Sequence, residues 1–361
     1  MNTVRPALIM AGGTGGHVFP ALAVAERLQA RGVPVVWMGA RRGLEATLVP
    51  KAGIPMEWID VAGLRGKGLG QQLAMPLMIG RALWQARAIL QRLQPQVVLG
   101  MGGFASGPGG LMTRWLGIPL VVHEQNAIAG LTNRILARIA SQILQAFPQT
   151  FPVARRATTV GNPVRESIAA LPPPAERFAG RQGRLRLLVL GGSQGALALN
   201  QLVPQALALL QESERPEVWH QAGGQLREAA EAAYRDAGIT ARLTPFIEDI
   251  AEAYGWADLV VCRAGALTIA ELAAAGVGAL LVPFPFAVDD HQTANAHFLA
   301  QGGAALLVQQ AELSAERLAA ILRDLLGDRS QLLRMAEAAR SLAKIEAAEH
   351  VARVCLDQAR S

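Results

Sequence analysis

AGGTGGH at 11–17, GMGGFASGPGG at 100–110 and LGGSQGA at 190–196 decide how this chain folds. Each glycine-rich turn follows an apolar run and leads into a helix-like stretch, which is the order strand, tight turn, helix. The first and third open two separate series of such units, so the pattern predicts two α/β halves. Where such a turn meets a helix, unpaired backbone N–H groups and the positive end of the helix dipole lie together, and glycine lets a phosphate approach the main chain. A tight connection with no ligand would use glycine equally well. Three turns in one chain, one ending in His17 and one holding Ser193 and Gln194, point instead to a phosphorylated ligand held between two domains.

Outward from these turns, the first half reads as strands near 6–11, 33–38, 55–59, 97–100, 119–123 and 142–146, alternating with helices. The second half has strands near 185–190, 217–221, 258–262, 279–282 and 304–307. Between the halves, Gly161-Asn162-Pro163-Val164-Arg165 forms a hinge, because Pro163 steers Asn162 away from helix. A chain of 361 residues has room for two domains with their own cores.

Cys262 and Cys355 are the only cysteines and lie far apart, so neither a disulfide framework nor a cysteine metal site is supported. That usage suits a reducing cytoplasm. The apolar run of MNTVRPALIM is too short for a signal peptide, so the chain is expected to stay inside the cell. Residues 272–288, LAAAGVGALLVPFPFAV, carry no charge, but Gly276, Gly278, Pro283 and Pro285 break them into a helix end, a turn and a buried parallel strand. No transmembrane helix is predicted.

The net charge of +6 divides unequally, with +11 in residues 1–162 and −5 in residues 163–361. An anionic partner is therefore expected for the first half alone. The spacing predicts a helix from Pro76 to Leu93 whose core stripe is Ile79, Leu83, Ala86, Leu90 and Leu93. Off that stripe lie Met75, Leu77, Met78 and Trp84, bordered by Arg81 and Arg87, with Arg65 and Lys67 upstream. Apolar residues with a basic border fit an anionic membrane surface. Nucleic acid fits less well, because its binders interleave basic and aromatic residues and only 5% of this chain is aromatic.

Several familiar motifs are missing. From Gly13 a dinucleotide fingerprint would need a third glycine where Val18 stands, and no acid closes the second strand at Trp37-Met38-Gly39. There is no Walker A loop, no H-E-x-x-H and no D-x-D pair to hold a metal on a diphosphate. Gly191-Gly192-Ser193-Gln194-Gly195 does satisfy G-x-S-x-G after a strand, with Asp289 and His291 in hydrolase order, so a serine hydrolase is the alternative. Against it stand the unused glycine turns of the first half. Arg263-Ala264-Gly265-Ala266-Leu267-Thr268 opens a helix bearing Glu271, a carboxylate able to accept from both hydroxyls of a ribose or simply to complement the helix dipole. Downstream, Asp289-Asp290-His291-Gln292 opens a helix at the same end of the sheet, where open α/β sheets bind ligands.

Taken together, GGTGGH at 12–17, GLRGKG at 63–68, GGFASGP at 102–108, HEQNAIAGLTNR at 123–134, GNPVR at 161–165, GGSQGA at 191–196, RAGALTIAE at 263–271 and PFPFAVDDHQTANA at 283–296 resemble the MurG family of glycosyltransferases over essentially the whole chain. Members of that family transfer N-acetylglucosamine from UDP-N-acetylglucosamine to undecaprenyl-diphospho-N-acetylmuramoyl-pentapeptide in peptidoglycan synthesis. The resemblance implies the GT-B fold, two Rossmann-like doubly wound domains facing a cleft. It implies a first domain over 1–162 that faces acceptor and membrane, completed by a C-terminal helix near 344–361. The second domain, 163–343, would bind the UDP-sugar. It further implies a peripheral position on the cytoplasmic face of the bacterial inner membrane, with no cofactor and no metal.

Carried over by position, Glu271 would bind the ribose, the backbone at Phe246 and Ile247 the uracil, and Ser193, Ala266, Leu267 and Thr268 the diphosphate. Gln292 would contact the sugar, Thr14, Gly15, Gly16 and Asn126 would close on it from the first domain, and Arg165 would reach the nucleotide side. The implied reaction is one in-line displacement with inversion. His17, at the end of the first turn, is the leading candidate for general base, ahead of Glu124 and His123.

Overall fold

The computed structural model describes residues 5–61, 75–192 and 195–360. The chain divides into two compact units, one running to Arg165 and taking in the segment from Ile345 onward, the other Glu166–Lys344.

Seven strands form the sheet of the first unit: β1 (Ala7–Met10), β2 (Val35–Gly39), β3 (Met56–Trp58), β4 (Val97–Gly100), β5 (Leu120–Glu124), β6 (Gln142–Gln145) and β7 (Thr158–Thr159). All are parallel, in the order β3-β2-β1-β4-β5-β6-β7. Its helices are α1 (Gly15–Ala30), α2 (Glu45–Lys51), α3 (Met75–Leu93), α4 (Ser106–Leu116) and α5 (Leu131–Leu136). Strands buried on both faces read as continuous apolar runs, and β1 (ALIM) is such a strand. The pleat sends Ile9 and Leu99 into one core with Val24, Leu28 and Trp37. It sends Leu8, Met10 and Val98 into another with Ala86, Leu90 and Leu136.

The second unit begins with α6 (Glu166–Ala169) and α7 (Pro174–Phe178) and holds six parallel strands. They are β8 (Arg186–Leu190), β9 (Glu217–Gln221), β10 (Arg242–Thr244), β11 (Leu259–Cys262), β12 (Gly278–Leu281) and β13 (Ala305–Leu307), ordered β10-β9-β8-β11-β12-β13. Around them lie α8 (Leu197–Ala208), α9 (Arg227–Asp236), α10 (Ile250–Trp256), α11 (Ala266–Ala275), α12 (His291–Gln301), α13 (Ala315–Gly327) and α14 (Arg329–Ser341). Each unit is thus a doubly wound α/β domain. In each, the strand order reverses beside the first strand, between β1 and β4 and between β8 and β11. Connections diverge at such a point and leave a crevice at the carboxyl ends of the strands.

The uncharged segment at 272–288 resolves into the end of α11, a turn and β12. Among the described residues no helix is long and apolar enough to cross a membrane. Two elements differ from the sequence reading: β7 and β10 are edge strands of two and three residues, too short to leave an alternating pattern.

The last helix, α15 (Ala347–Arg360), belongs to the first unit. Val351, Ala352 and Cys355 are buried in the same core as Val18, Ala21 and Val24 of α1. At the surface Arg31 and Glu349 form an ion pair. Replacing Val351 by Ala removes two buried methyl groups and should cost the first unit about 1–3 kcal/mol. Hydrogen exchange should then quicken in α1 while α8 and α11 keep the parent's protection; equal protection in α1 would mean that α15 does not brace it.

Candidate functional site

The turn after β1 rests on a buried carboxylate. Glu45, the first residue of α2, is 1% exposed. Its Oε2 accepts from the Gly13 N–H at 2.9 Å and its Oε1 from the Ala40 N–H at 3.1 Å. Trp37 Nε1 donates to the Ala11 carbonyl at 2.8 Å and pins the start of the same turn. Thr14 caps α1 through its backbone, with no side-chain cap bond, and Gly15 and Gly16 form the first helical turn. The amides of that turn are the anion-facing groups of a helix start.

The turn after β4 lies directly on the first. A Cβ added at Gly103 would come within 2.5 Å of the Gly12 carbonyl oxygen, so only glycine permits this backbone-to-backbone contact. Ser106 Oγ is shared between the carbonyls of Met10 at 2.8 Å and Gly102 at 2.7 Å, tying both turns together. The later glycines of GMGGFASGPGG serve packing instead: a Cβ at Gly110 would lie 2.6 Å from the Leu136 side chain.

His17 is half-buried, and its Nδ1 lies 3.0 Å from Gln125 Oε1. Its Nε2 takes part in no hydrogen bond among the described residues. The other two candidate bases are fully engaged. Glu124, 1% exposed, accepts from the Asn126 N–H and Nδ2 on one oxygen and from the Gly130 N–H and Asn133 Nδ2 on the other. His123 is completely buried, Nε2 bound to the Gly161 carbonyl at 2.9 Å, and desolvation pulls its pKa down to about 4. A neutral buried imidazole and a carboxylate accepting four bonds are loop anchors, not proton acceptors for a substrate. Asn126 sits near the start of this loop, held to Glu124. Arg165 extends its guanidinium over the Phe19 ring at 4.9 Å.

In the second unit the third glycine turn joins β8 to α8. Ser193 and Gln194 lie outside the described residues, as does GLRGKG at 63–68 with Arg65 and Lys67. After β11, Gly265 caps α11 with no side-chain bond, leaving the amides of Ala266, Leu267 and Thr268 as the open end of the helix. Gln292 Oε1 accepts from the N–H groups of Ala264 at 3.2 Å and Phe284 at 2.9 Å, tying the β11 and β12 turns. Its Nε2 makes no hydrogen bond among the described residues. Glu271 is buried, and Tyr254 donates its hydroxyl to Oε2 at 3.2 Å. Arg263 is engaged at the same end: it donates to the carbonyls of Val282 and Pro283 and to Gln310 Oε1 and lies 5.5 Å from the Phe284 ring. Ile247 is buried and Phe246 half-exposed beside it. The hydrolase alternative gains nothing, because His291 Nδ1 pairs with the Val288 carbonyl at 2.7 Å, where a triad would need a carboxylate. Among the described residues no group of three or more His, Cys, Asp or Glu side chains could hold a metal ion.

α3 keeps its expected face at Ala86 and Leu90, with Leu83 and Leu93 packed against the same core, and departs from it at Ile79. Its core residues are Ala82, Ala86, Ile89 and Leu90, while Ile79, expected in the core, is 42% exposed. Leu77 and Trp84 are exposed as their spacing indicates. Ile79 and Met78 turn toward a groove of about 250 Å³ that Phe104, Leu111, Leu131 and Ile135 complete. Those four and the exposed Trp115 come from α4, α5 and the second turn, and the sequence reading missed them because they are contiguous only in the fold. Arg81, expected as a border cation, is paired with Asp60 at 2.7 Å; Arg87, Arg114 and Arg134 are exposed.

Two family models match the chain, the glycosyltransferase family 28 N-terminal domain over residues 7–145 and its C-terminal domain over residues 186–352. A relative from Nitrosococcus oceani, named UDP-N-acetylglucosamine--N-acetylmuramyl-(pentapeptide) pyrophosphoryl-undecaprenol N-acetylglucosamine transferase, is 61% identical, covering 98% of this chain and 98% of its own. One of the same name from Alkalilimnicola ehrlichii is 59% identical over 98% and 99%. The crystal structure of MurG from Acinetobacter baumannii aligns with a TM-score of 0.84 at 43% identity, over 98% of this chain and 99% of that one.

Glu45 offers a test of the first site. In Glu45→Gln one amide N–H of the pair at Gly13 and Ala40 faces an NH₂ group, which should lower stability by about 1–3 kcal/mol. Chemical denaturation reads the loss and amide exchange at Gly13 and Ala40 locates it; a parental midpoint would mean that the carboxylate does not hold the turn.

Proposed function

The chain belongs to glycosyltransferase family 28, and from this we propose that it is the inverting transferase that moves N-acetylglucosamine from UDP-N-acetylglucosamine to the 4-hydroxyl of undecaprenyl-diphospho-N-acetylmuramoyl-pentapeptide. The observation that carries the reading is the open N-terminus of α11 with Glu271 one helical turn inside it. Helix-terminal amides stabilise a diphosphate leaving group without reorganising, and a buried carboxylate oriented by Tyr254 suits a ribose diol.

In the transfer, the acceptor oxygen forms a bond to the anomeric carbon as the bond from that carbon to the β-phosphate oxygen breaks. UDP departs onto the amides of Ala266, Leu267 and Thr268, joined by Ser193. Gln292 Nε2 holds the sugar, Ile247 the uracil edge and Arg165 the nucleotide side. Thr14, Gly15, Gly16 and Asn126 receive the sugar on the first unit. The proton of the attacking hydroxyl passes to His17 Nε2, the ring nitrogen without a hydrogen-bond partner among the described residues.

An acceptor with an undecaprenyl chain ties the reaction to a bilayer. The apolar groove of α3, α4 and α5, helices that also carry the exposed Arg87, Arg114 and Arg134, is the face of the first unit that meets an anionic leaflet, with the protein peripheral on the cytoplasmic side of the inner membrane.

A transfer assay with radiolabelled UDP-N-acetylglucosamine and a lipid-linked acceptor tests the activity directly. Glu271→Ala should weaken UDP binding by roughly 1.5–3 kcal/mol in calorimetry. His17→Ala should lower kcat by about 10²–10⁴ while UDP affinity stays parental. Unchanged UDP affinity in the first variant, or full turnover in the second, rejects the respective role.

Membrane binding has its own test. Co-sedimentation with vesicles should rise with anionic lipid, fall with salt, and drop in a Leu77→Glu/Trp84→Glu double variant that still processes a soluble acceptor analogue. Equal sedimentation of variant and parent would leave the exposed apolar residues of α3 without a membrane role.

A further inference from the structure

We propose that Gln125 is a positioning residue that fixes the tautomer of His17 and so leaves the lone pair of its Nε2 free to take the acceptor's proton. The inference rests on the reading of His17 as general base and adds the device that prepares it.

The Gly161 carbonyl can only accept, and His123 Nε2 lies 2.9 Å from it, so that nitrogen carries a hydrogen. Burial keeps His123 neutral, with a pKa lowered to about 4, and a neutral imidazole has one N–H. Its Nδ1 therefore presents a lone pair. Gln125, 1% exposed, directs its amide nitrogen at that Nδ1, 3.3 Å away, and at the His123 carbonyl, also 3.3 Å away. Both are acceptors. The reversed carboxamide would set oxygen against two acceptors, so the orientation, which is often arbitrary for glutamine, is dictated here.

The remaining end follows by elimination. Gln125 Oε1 accepts, and it lies 3.0 Å from His17 Nδ1. His17 must donate from Nδ1, and in its neutral form the lone pair resides on Nε2. The ring cannot readily turn to undo this. A Cβ at Gly102 would lie 2.9 Å from His17 Cε1 and 3.0 Å from Nδ1, so that edge of the imidazole lies close against the second turn. Gly161 at the hinge thus sets, through His123 and Gln125, the proton position on His17. Gln125 acts through His17 and touches no reacting atom.

Long-range ¹H–¹⁵N spectra of histidine-labelled protein, at a pH where His17 is neutral, read the tautomer directly. The parent should show a protonated Nδ1 and an unprotonated Nε2 on His17; the opposite pattern overturns the proposal without any variant. Gln125→Met keeps the volume but removes the acceptor, so His17 should populate both tautomers. Its kcat should fall at least about tenfold, with the UDP-N-acetylglucosamine KM and UDP affinity parental. In a His17→Ala background the same change should cost nothing further. A parental ¹⁵N pattern in Gln125→Met rejects the relay, whereas a shifted pattern with parental turnover rejects His17 as base and leaves the relay standing.

Discussion

The contact of Gly103 with the Gly12 carbonyl is the constraint on which the first site depends. Two strands adjacent at the switch point send their loops apart, and only main chain on main chain lets the two loops meet again at one surface. With the turns in contact, Ser106 can reach Met10 and Gly102 together, and His17 can lie against the second turn while standing on the first. Any side chain at 103 would wedge the turns apart and carry His17 away from Gln125. The geometry of the whole site is thus set by the absence of a few atoms.

Buried carboxylates do the complementary task. Glu45 and Glu124 are each withdrawn from water, Glu45 satisfied by amides of the loops after β1 and β2 and Glu124 by the loop after β5 together with Asn133 of α5, so each acts as a rivet through irregular backbone. Such loops hold their shape before a substrate arrives, which is the condition for electrostatic stabilisation without reorganisation. The start of α11 is treated differently. Its cap residue Gly265 makes no side-chain bond, and the neighbouring Arg263 is engaged with the carbonyls of Val282 and Pro283 and with Gln310. One loop set is closed internally by side chains, whereas the start of α11 has no side-chain bond from its cap residue.

Much of this was legible from residues alone, because parallel strands buried on both faces and glycine turns are local signals. The central strands, the interrupted segment at 272–288 and the α11 motif all lie where periodicity and turn chemistry put them. What escaped has a common cause. Glu45 reads as an ordinary acidic residue in a first helical turn, and only the fold brings Gly13 and Ala40 to it. Ile79 fits a core stripe by spacing, yet the groove of α3, α4 and α5 draws it outward. The Gln125 chain joins residues up to 108 positions apart, and its direction is fixed by donors and acceptors that no linear pattern displays.

The return of α15 to the first unit has a consequence for how the molecule is made. Synthesis delivers residues 1–165 first, but Val351, Ala352 and Cys355 reach that core only after all of Glu166–Lys344 has been built. During that interval Val18, Ala21 and Val24 lack the neighbours that later cover them, although the rest of their sheet is complete. The second unit carries no such debt and can mature as it emerges. Order of birth and order of completion are therefore reversed: the half translated first is finished last, and a nascent chain stalled between the two exposes apolar surface that holdase chaperones would recognise.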